Sequence, residues 1–458
     1  MTPAPTATAE GWRVLSLTCG AVFVVSLDAT VVVAAFPALR AHFSGVSPDL
    51  LSWVLNAYTL VYASLLIPLG RWGDTHGHRR ALLLGLSGFT AASVVCGAAP
   101  NANLLILART AQAVGAAVLT PAALALVLRA MPVEKRAMAV SLWGAVGALA
   151  AAVGPAVGSW LIDAISWRAI FWINLPLGAL IGVLCARSLK ESTDSRSTAK
   201  PDWLGSALVA SGVALVTLGC LGADRATAST WAALAGGIIV LGCFVVWVRC
   251  RPNAALDLTL FRDRNYRFAN LATLVFGAAF GLMFLASFLF LIGVWGYSQS
   301  RAGAAATVGP LMVVPFAVLG GRWAGRAGHR APLVAGGVLY ATGQLWYLVH
   351  LSVQPDYIGV WLPGQLTSGA GIGLVLPSLA GAAVAGLPAA ALGAGNAVNA
   401  AVRQLGSVIG VAIGVTLVGR AGASLTQFQF VYGFLAVGGL VTTALSLPIN
   451  TRRQQGAL

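Results

Sequence analysis

Fourteen stretches of about twenty residues, each nearly free of charge, follow one another along this chain and leave it few folds to choose from. A helix needs about 20 apolar residues to cross a bilayer's hydrocarbon, where a backbone must satisfy its own hydrogen bonds. The stretches fall near 12–36, 51–71, 81–99, 103–130, 138–162, 168–187, 203–222, 230–249, 267–295, 302–321, 332–352, 357–386, 393–419 and 428–448. Charged residues make up only 9% of the 458, against roughly 25% in soluble domains, and the mean hydropathy is +0.84. An all-α membrane protein with fourteen transmembrane helices is expected.

A net charge of +15 could suggest a nucleic-acid partner. Such binding gathers basic residues on one face, whereas here they sit in short clusters between apolar runs, so no nucleic-acid partner is expected. Their distribution instead predicts orientation. With both termini in the cytoplasm, 21 of the 28 basic residues lie inside. Five lie outside (Arg40, Arg168, Arg225, Arg301, Arg420), and Arg109 and Arg403 lie within spans. Cys19, Cys96, Cys185, Cys220, Cys243 and Cys250 form no CxxC pair and have no metal-ligand spacing; they read as small core residues. The start of the chain has no basic region followed by a short apolar core and cleavage site, so its first apolar run reads as a permanent helix.

The chain repeats itself. "GRWGDTHGHRR" (Gly70 to Arg80) and "GRWAGRAGHRA" (Gly321 to Ala331) agree at six of eleven positions and close the second and tenth spans on one side of the membrane. Two halves of the same topology are therefore expected, related by an axis along the membrane normal: a six-helix bundle over 12–187 and another over 267–448. Between them, 188–266 is a linker carrying an inserted transmembrane hairpin at 203–222 and 230–249, bounded by the polar "KESTDSRSTAKPD" and the basic "RCRPNAALDLTLFRDRNYR". The second copy has Gly325 where the first has Asp74.

Of thirteen acids only Asp28 lies deep within a span. A charge at the bilayer centre costs at least about 2.5–3.5 kcal/mol, so such residues usually face a bundle interior or an aqueous cavity. Asp28 reads either as a structural acceptor or as a proton carrier, since desolvation favours a neutral carboxyl group and lets one load and release a proton as its exposure changes. Arg109 is the first half's only buried cation and could pair with Asp28 or brace the cytoplasmic end of its bundle; Gln112 shares its face. Arg403 is the other buried cation, with Gln404 beside it and Asn396 and Asn399 at helical spacing, positioned for substrate contact or for hydrogen bonding between helices.

Trp53, Asn56, Tyr58 and Tyr62 in the second span and Phe276, Phe280 and Phe284 in the ninth could line a substrate pocket, with interface anchoring and core packing as the ordinary roles. Gly154, Pro155 and Gly158 form a small-residue face at which a helix can bend. "GAGIG" and "GAGNA" lie inside apolar spans with no preceding strand or following lysine, and so cradle no phosphate. No paired carboxylates, HExxH or Walker sequence occurs, so neither an enzyme, a bound cofactor nor direct ATP coupling is expected.

Taken together, "LDATVVVAAFP" (Leu27 to Pro37), "GRWGDTHGHRR", "RTAQAVGAA" (Arg109 to Ala117), "GPAVGS" (Gly154 to Ser159), "SWRAIFWINLPLG" (Ser166 to Gly178) and "VRQLGSVIGVAIG" (Val402 to Gly414) resemble, in order and spacing, the fourteen-helix drug:proton antiporter branch of the major facilitator superfamily. Val33, Thr75, Ala113 and Ser159 depart from that branch's pattern. The resemblance implies a multi-pass protein of the bacterial inner membrane, acting as a monomer, with a cavity between two rocking halves. It exports a lipophilic compound or antibiotic against protons. Asp28 and Arg109 would couple the protons; Gly70, Asp74, Gly77, Arg79 and Arg80 would form the gate, with Asp74 as its latch. A metabolite transporter or importer on the same fold, or a non-transporting membrane sensor, are the alternatives. Substrates are expected to be neutral, zwitterionic or singly charged.

Overall fold

The computed structural model describes residues 6–191, 202–221, 227–250, 258–388, 391–418 and 424–451. Parts of the expected linker (192–201 and 251–257), Arg225 and Arg420 lie outside the described residues.

Among the described residues, each of the fourteen apolar stretches lies mostly on helix. The first half comprises α1 (Thr6–His42), α2 (Pro48–His76), α3 (His78–Ala98), α4 (Ala102–Ala130), α5 (Val133–Ala164), α6 (Ala169–Trp172) and α7 (Asn174–Ser188). The hairpin is α8 (Trp203–Leu221) and α9 (Ala228–Arg249). The second half comprises α10 (Arg264–Gly293), α11 (Gln299–Ala327), α12 (Arg330–His350), α13 (Leu362–Val384), α14 (Leu392–Val418) and α15 (Leu425–Ser446). Among the described residues, eleven helices are long and apolar enough to cross a membrane; α8, α12 and α14 are not among them. The sixth stretch divides into α6 and α7, and a π turn (Tyr357–Trp361) precedes α13.

Polar caps open the helices where the chain turns. Ser47, Asn101, Asp263, Ser298 and Ser424 each accept a backbone N–H of the following turn. Within a membrane, helix contacts depend on close approach at small residues. A Cβ at Gly277 of α10 would lie 2.7 Å from the Arg403 carbonyl of α14, so the two backbones are in contact there.

One face of the molecule gathers the chain ends. Lys190 Nζ reaches Glu10 Oε1 at 2.9 Å, Asn265 and Asn450 exchange two hydrogen bonds, and His329 N donates to Thr451 at 3.0 Å. We term this the terminal face. The halves meet along two seams, α2 with α14 and α5 with α11 and α13, and α8 packs against α2 and α14. Val209, Val213, Phe244 and Val248 of the hairpin share a core with Leu66 and Ile67 of α2 and with the second half. The reading of all six cysteines as core residues needs correction. Cys19 is half-buried and Cys96 and Cys185 are buried, but Cys243 and Cys250 are exposed: α9 packs through Gly237, Phe244 and Val248 and turns Cys243 outward, and Cys250 caps its end. The Cys220 side chain is outside the described residues.

Candidate functional site: a buried ion pair at the wall of a central cavity

Two apolar cores fill the first half, one including Val25, Phe89 and Ala113 and the other Leu27, Cys96 and Ala108. Between these flanking positions lies a polar layer. Asp28 on α1 is 1% exposed and receives three donors: Arg109 Nη1 at 2.5 Å, Gln112 Nε2 at 2.9 Å and Asn174 Nδ2 at 2.8 Å. Asn174, the first residue of α7, also donates to Ser93 Oγ at 2.9 Å, and Ser93 donates to the Phe171 carbonyl at 2.8 Å. The three-residue step from Arg109 to Gln112 puts both on one face of α4, where Arg109 Nη1 also donates to Gln112 Oε1 at 2.6 Å. Arg109 Nε donates to the Val54 carbonyl of α2 at 3.2 Å, and its guanidinium lies 4.2 Å from the Tyr58 ring centroid. Five helices thus converge on one ion pair. A buried carboxylate with three donors is well compensated, while removing one partner leaves the other charge stranded at a cost of about 3–5 kcal/mol.

A cavity of about 340 Å³ lies between the halves, within the range of roughly 300–1,000 Å³ common for small-molecule sites. Its walls are mostly apolar, from α1, α2, α5, α10 and α13, with Tyr58, Tyr62, Trp143 and Phe280 as the aromatic surfaces and Arg403, Gln404 and Ser407 of α14 as a polar strip. Arg109 belongs to the wall and Asp28 does not. The guanidinium therefore stands between cavity and carboxylate. A second, smaller cavity of about 60 Å³ is lined by Phe284, Gln365 and Pro155 and shares Phe280, Ala148 and Ala151 with the first.

The repeated segments occupy equivalent corners. Gly77 and Gly328 follow the ends of α2 and α11 with φ of 104° and 76°, a region open to glycine at little cost. Seven residues earlier, Gly70 and Gly321 sit where the halves touch. A Cβ on Gly70 would lie 2.6 Å from Ala397 of α14, and one on Gly321 2.8 Å from Met138 and Ser141 of α5. Each copy thus presses on the opposite half near the terminal face. Asp74 is buried and faces His78 Nε2 at 3.7 Å, on the next helix of its own half. The backbone N–H groups of Arg79 and Arg80 donate to the Glu191 carboxylate at 3.0 and 3.1 Å, and Arg79 Nη2 donates to the Ala186 carbonyl at 2.7 Å.

The model for the Major Facilitator Superfamily matches residues 18–294. The chain belongs to the major facilitator superfamily. Family and fold make it a multi-pass membrane transporter. It is 34% identical to "Multidrug resistance protein Stp" of Mycobacterium tuberculosis, over 85% of this chain and 73% of that one. It is 33% identical to the "Probable actinorhodin transporter" of Streptomyces coelicolor, over 93% and 76%, and 31% identical to "Cephamycin export protein CmcT" of Amycolatopsis lactamdurans, over 94% and 90%. Its fold is similar to the crystal structure of human MFSD10, titled an organic anion transporter, with a TM-score of 0.70, 16% identity and coverage of 97% and 100%.

Within the transporter, Asp28, Arg109 and Gln112 come together as one cluster, so Gln112, expected at the substrate, binds the carboxylate instead. Of the two roles expected for Arg109, the structure shows the pairing with Asp28. Arg109 stands near the start of α4, whereas the end of that helix, at Ala130, meets Gly11 on the terminal face. Tyr58 and Phe280 line the central cavity and Phe284 the smaller one; Trp53 and Asn56 line neither, and the Asn56 amide donates to Ser52 at 3.4 Å. Asn399 is buried against α10, donating to Asn270 and Thr273 at 3.1 and 3.0 Å, while Asn396 is buried and also lines neither cavity. Gly154, Pro155 and Gly158 are buried within an unbroken α5, with Gly154 against Leu27 and Thr30 of α1. Sequence reasoning missed Asn174, Ser93 and Glu191: each is a common polar residue whose role depends on a partner 78 or more positions away.

Proposed function

We propose that this transporter exports a lipophilic small molecule from the cytoplasm in exchange for protons, as a member of the fourteen-helix drug:proton antiporter branch. The terminal face is the cytoplasmic one, all fourteen apolar helices span the bacterial inner membrane, and the monomer is the working unit. The observation that carries the reading is the Asp28–Arg109 pair at the cavity wall, 1% exposed on both sides. Protonation of Asp28 removes the charge that holds Arg109, so the guanidinium is released toward the cavity it lines and the contacts among five helices loosen. Loading the proton and changing the cavity's shape are then one event. The relatives named for multidrug resistance and for cephamycin export support the outward direction. The driving force is adequate: one charge moved through 100 mV supplies about 2.3 kcal/mol, roughly fifty-fold in concentration.

The test uses purified protein in proteoliposomes with an imposed pH gradient and a panel of lipophilic dyes and antibiotics. Wild-type protein accumulates a substrate against its gradient and moves protons in return; Asp28→Asn abolishes the proton movement. Substrate-driven proton flux that survives Asp28→Asn sinks the assignment of the coupling residue, and the absence of any gradient-driven movement sinks antiport itself.

A further inference from the structure

Among the described residues lining the central cavity there are two cations, Arg109 and Arg403, and no aspartate or glutamate. Arg109 is neutralised by Asp28. Arg403 is half-buried in the middle of α14, where its side chain lines the cavity and has no ion pair and no hydrogen bond among the described residues. Packing does not require it, because α14 is held to α10 through its small residues and through Asn399.

Two further groups on the same walls are unsatisfied. The Trp143 Nε1–H and the Tyr58 hydroxyl are buried and without a hydrogen-bond partner among the described residues, the side chains being 6% and 5% exposed. Buried polar groups are nearly always paired, and these two belong to residues that line the cavity, where an occupant can supply the partner. Indole N–H and guanidinium are donors only. What they lack is an acceptor, and beside Arg403 a negatively charged one.

We propose that the cavity binds an amphiphilic anion, a compound with an aromatic or lipophilic body and one acidic group. This deepens the export reading and rests on it. The carboxylate, sulfonate or phenolate pairs with Arg403, with the Gln404 amide and Ser407 hydroxyl on the same helix as further donors. Trp143 and Tyr58 donate to acceptors on the body, which lies against Tyr62 and Phe280. The expectation of a neutral, zwitterionic or singly charged substrate is thereby narrowed to one charge sign.

Three probes sharing a naphthalene core test the charge: 8-anilinonaphthalene-1-sulfonate, its neutral parent N-phenyl-1-naphthylamine, and a naphthyl trimethylammonium. Binding to the detergent-purified full chain is measured by titration calorimetry against detergent blanks. The sulfonate is expected to bind at least tenfold more tightly than either of the others. Arg403→Gln should remove that preference with the neutral probe's affinity changed less than twofold, while Arg403→Lys retains most of it and Trp143→Phe loses about threefold. Equal affinity for the three, tighter binding of the cation, or binding of none overturns the proposal on wild-type protein alone. Equal loss of the anionic and neutral probes in Arg403→Gln also overturns it, as that marks a change of cavity shape. Gradient-driven transport of the neutral or cationic probe without the sulfonate leaves the export reading standing and removes only the anion.

Discussion

Asp28 was legible from its type and place, since no other acid lies deep in an apolar run and a carboxylate is not carried into hydrocarbon without compensation. Its three donors were not equally legible. Arg109 and Gln112 share a helix face and announce each other, whereas Asn174 arrives from 146 residues away and looks like any polar residue at a helix start. The energetics of the cluster are testable. Arg109→Gln and Asp28→Asn each strand one charge and should lower unfolding stability by about 3–5 kcal/mol. The double variant should recover at least about 1 kcal/mol of the summed loss, because neither charge then remains. Denaturation of the four proteins in detergent forms the cycle, and strict additivity would show that the pair contributes no coupling. Ser93→Ala removes the group that receives the Asn174 amide and should cost about 1 kcal/mol.

At the scale of the helix, the apolar windows located the helices but not their ends: α1 runs Thr6–His42 around the stretch at 12–36, and α11 runs Gln299–Ala327 around that at 302–321. The corner after α11 carries more than a turn. His329 is 3% exposed and bonded to Thr451, in the segment beyond α15 on the terminal face. Burial pushes its imidazole down to about 4 from the ordinary 6.5. The folded chain therefore holds it neutral while the unfolded chain takes up a proton, so stability is full above about pH 6.5 and falls as pH drops toward 4. His329→Gln should flatten that fall, measured as apparent melting temperature against pH; an unchanged slope would exclude His329 as its source. Gly328→Ala and Gly77→Ala place a Cβ at positive φ and should each cost about 1 kcal/mol. Gly77→Ala should cost more, since a Cβ there would lie 2.5 Å from the Glu191 carboxylate.

In the whole molecule, the repeated segments report how the halves meet. Gly70 lies against Ala397 and Gly321 against Met138 and Ser141, so each copy is a contact of its half with the other. A rocking mechanism must part these contacts. In a protein freed of its native cysteines, Gly70→Cys with Ala397→Cys should cross-link under mild oxidation and stop transport, with reduction restoring it; transport through an intact cross-link would show that this seam does not open. The sequence alone determined the all-helical membrane class, where the apolar helices lie and the one acid deep in an apolar run, because hydrocarbon imposes length, apolarity and charge avoidance on each segment separately. Tertiary structure decided which polar groups share a layer, which residues face the cavity and that Arg403 stands there with no ion pair among the described residues. Those depend on how helices from distant parts of the chain turn toward one another, and side chains of modest polarity carry no local record of it.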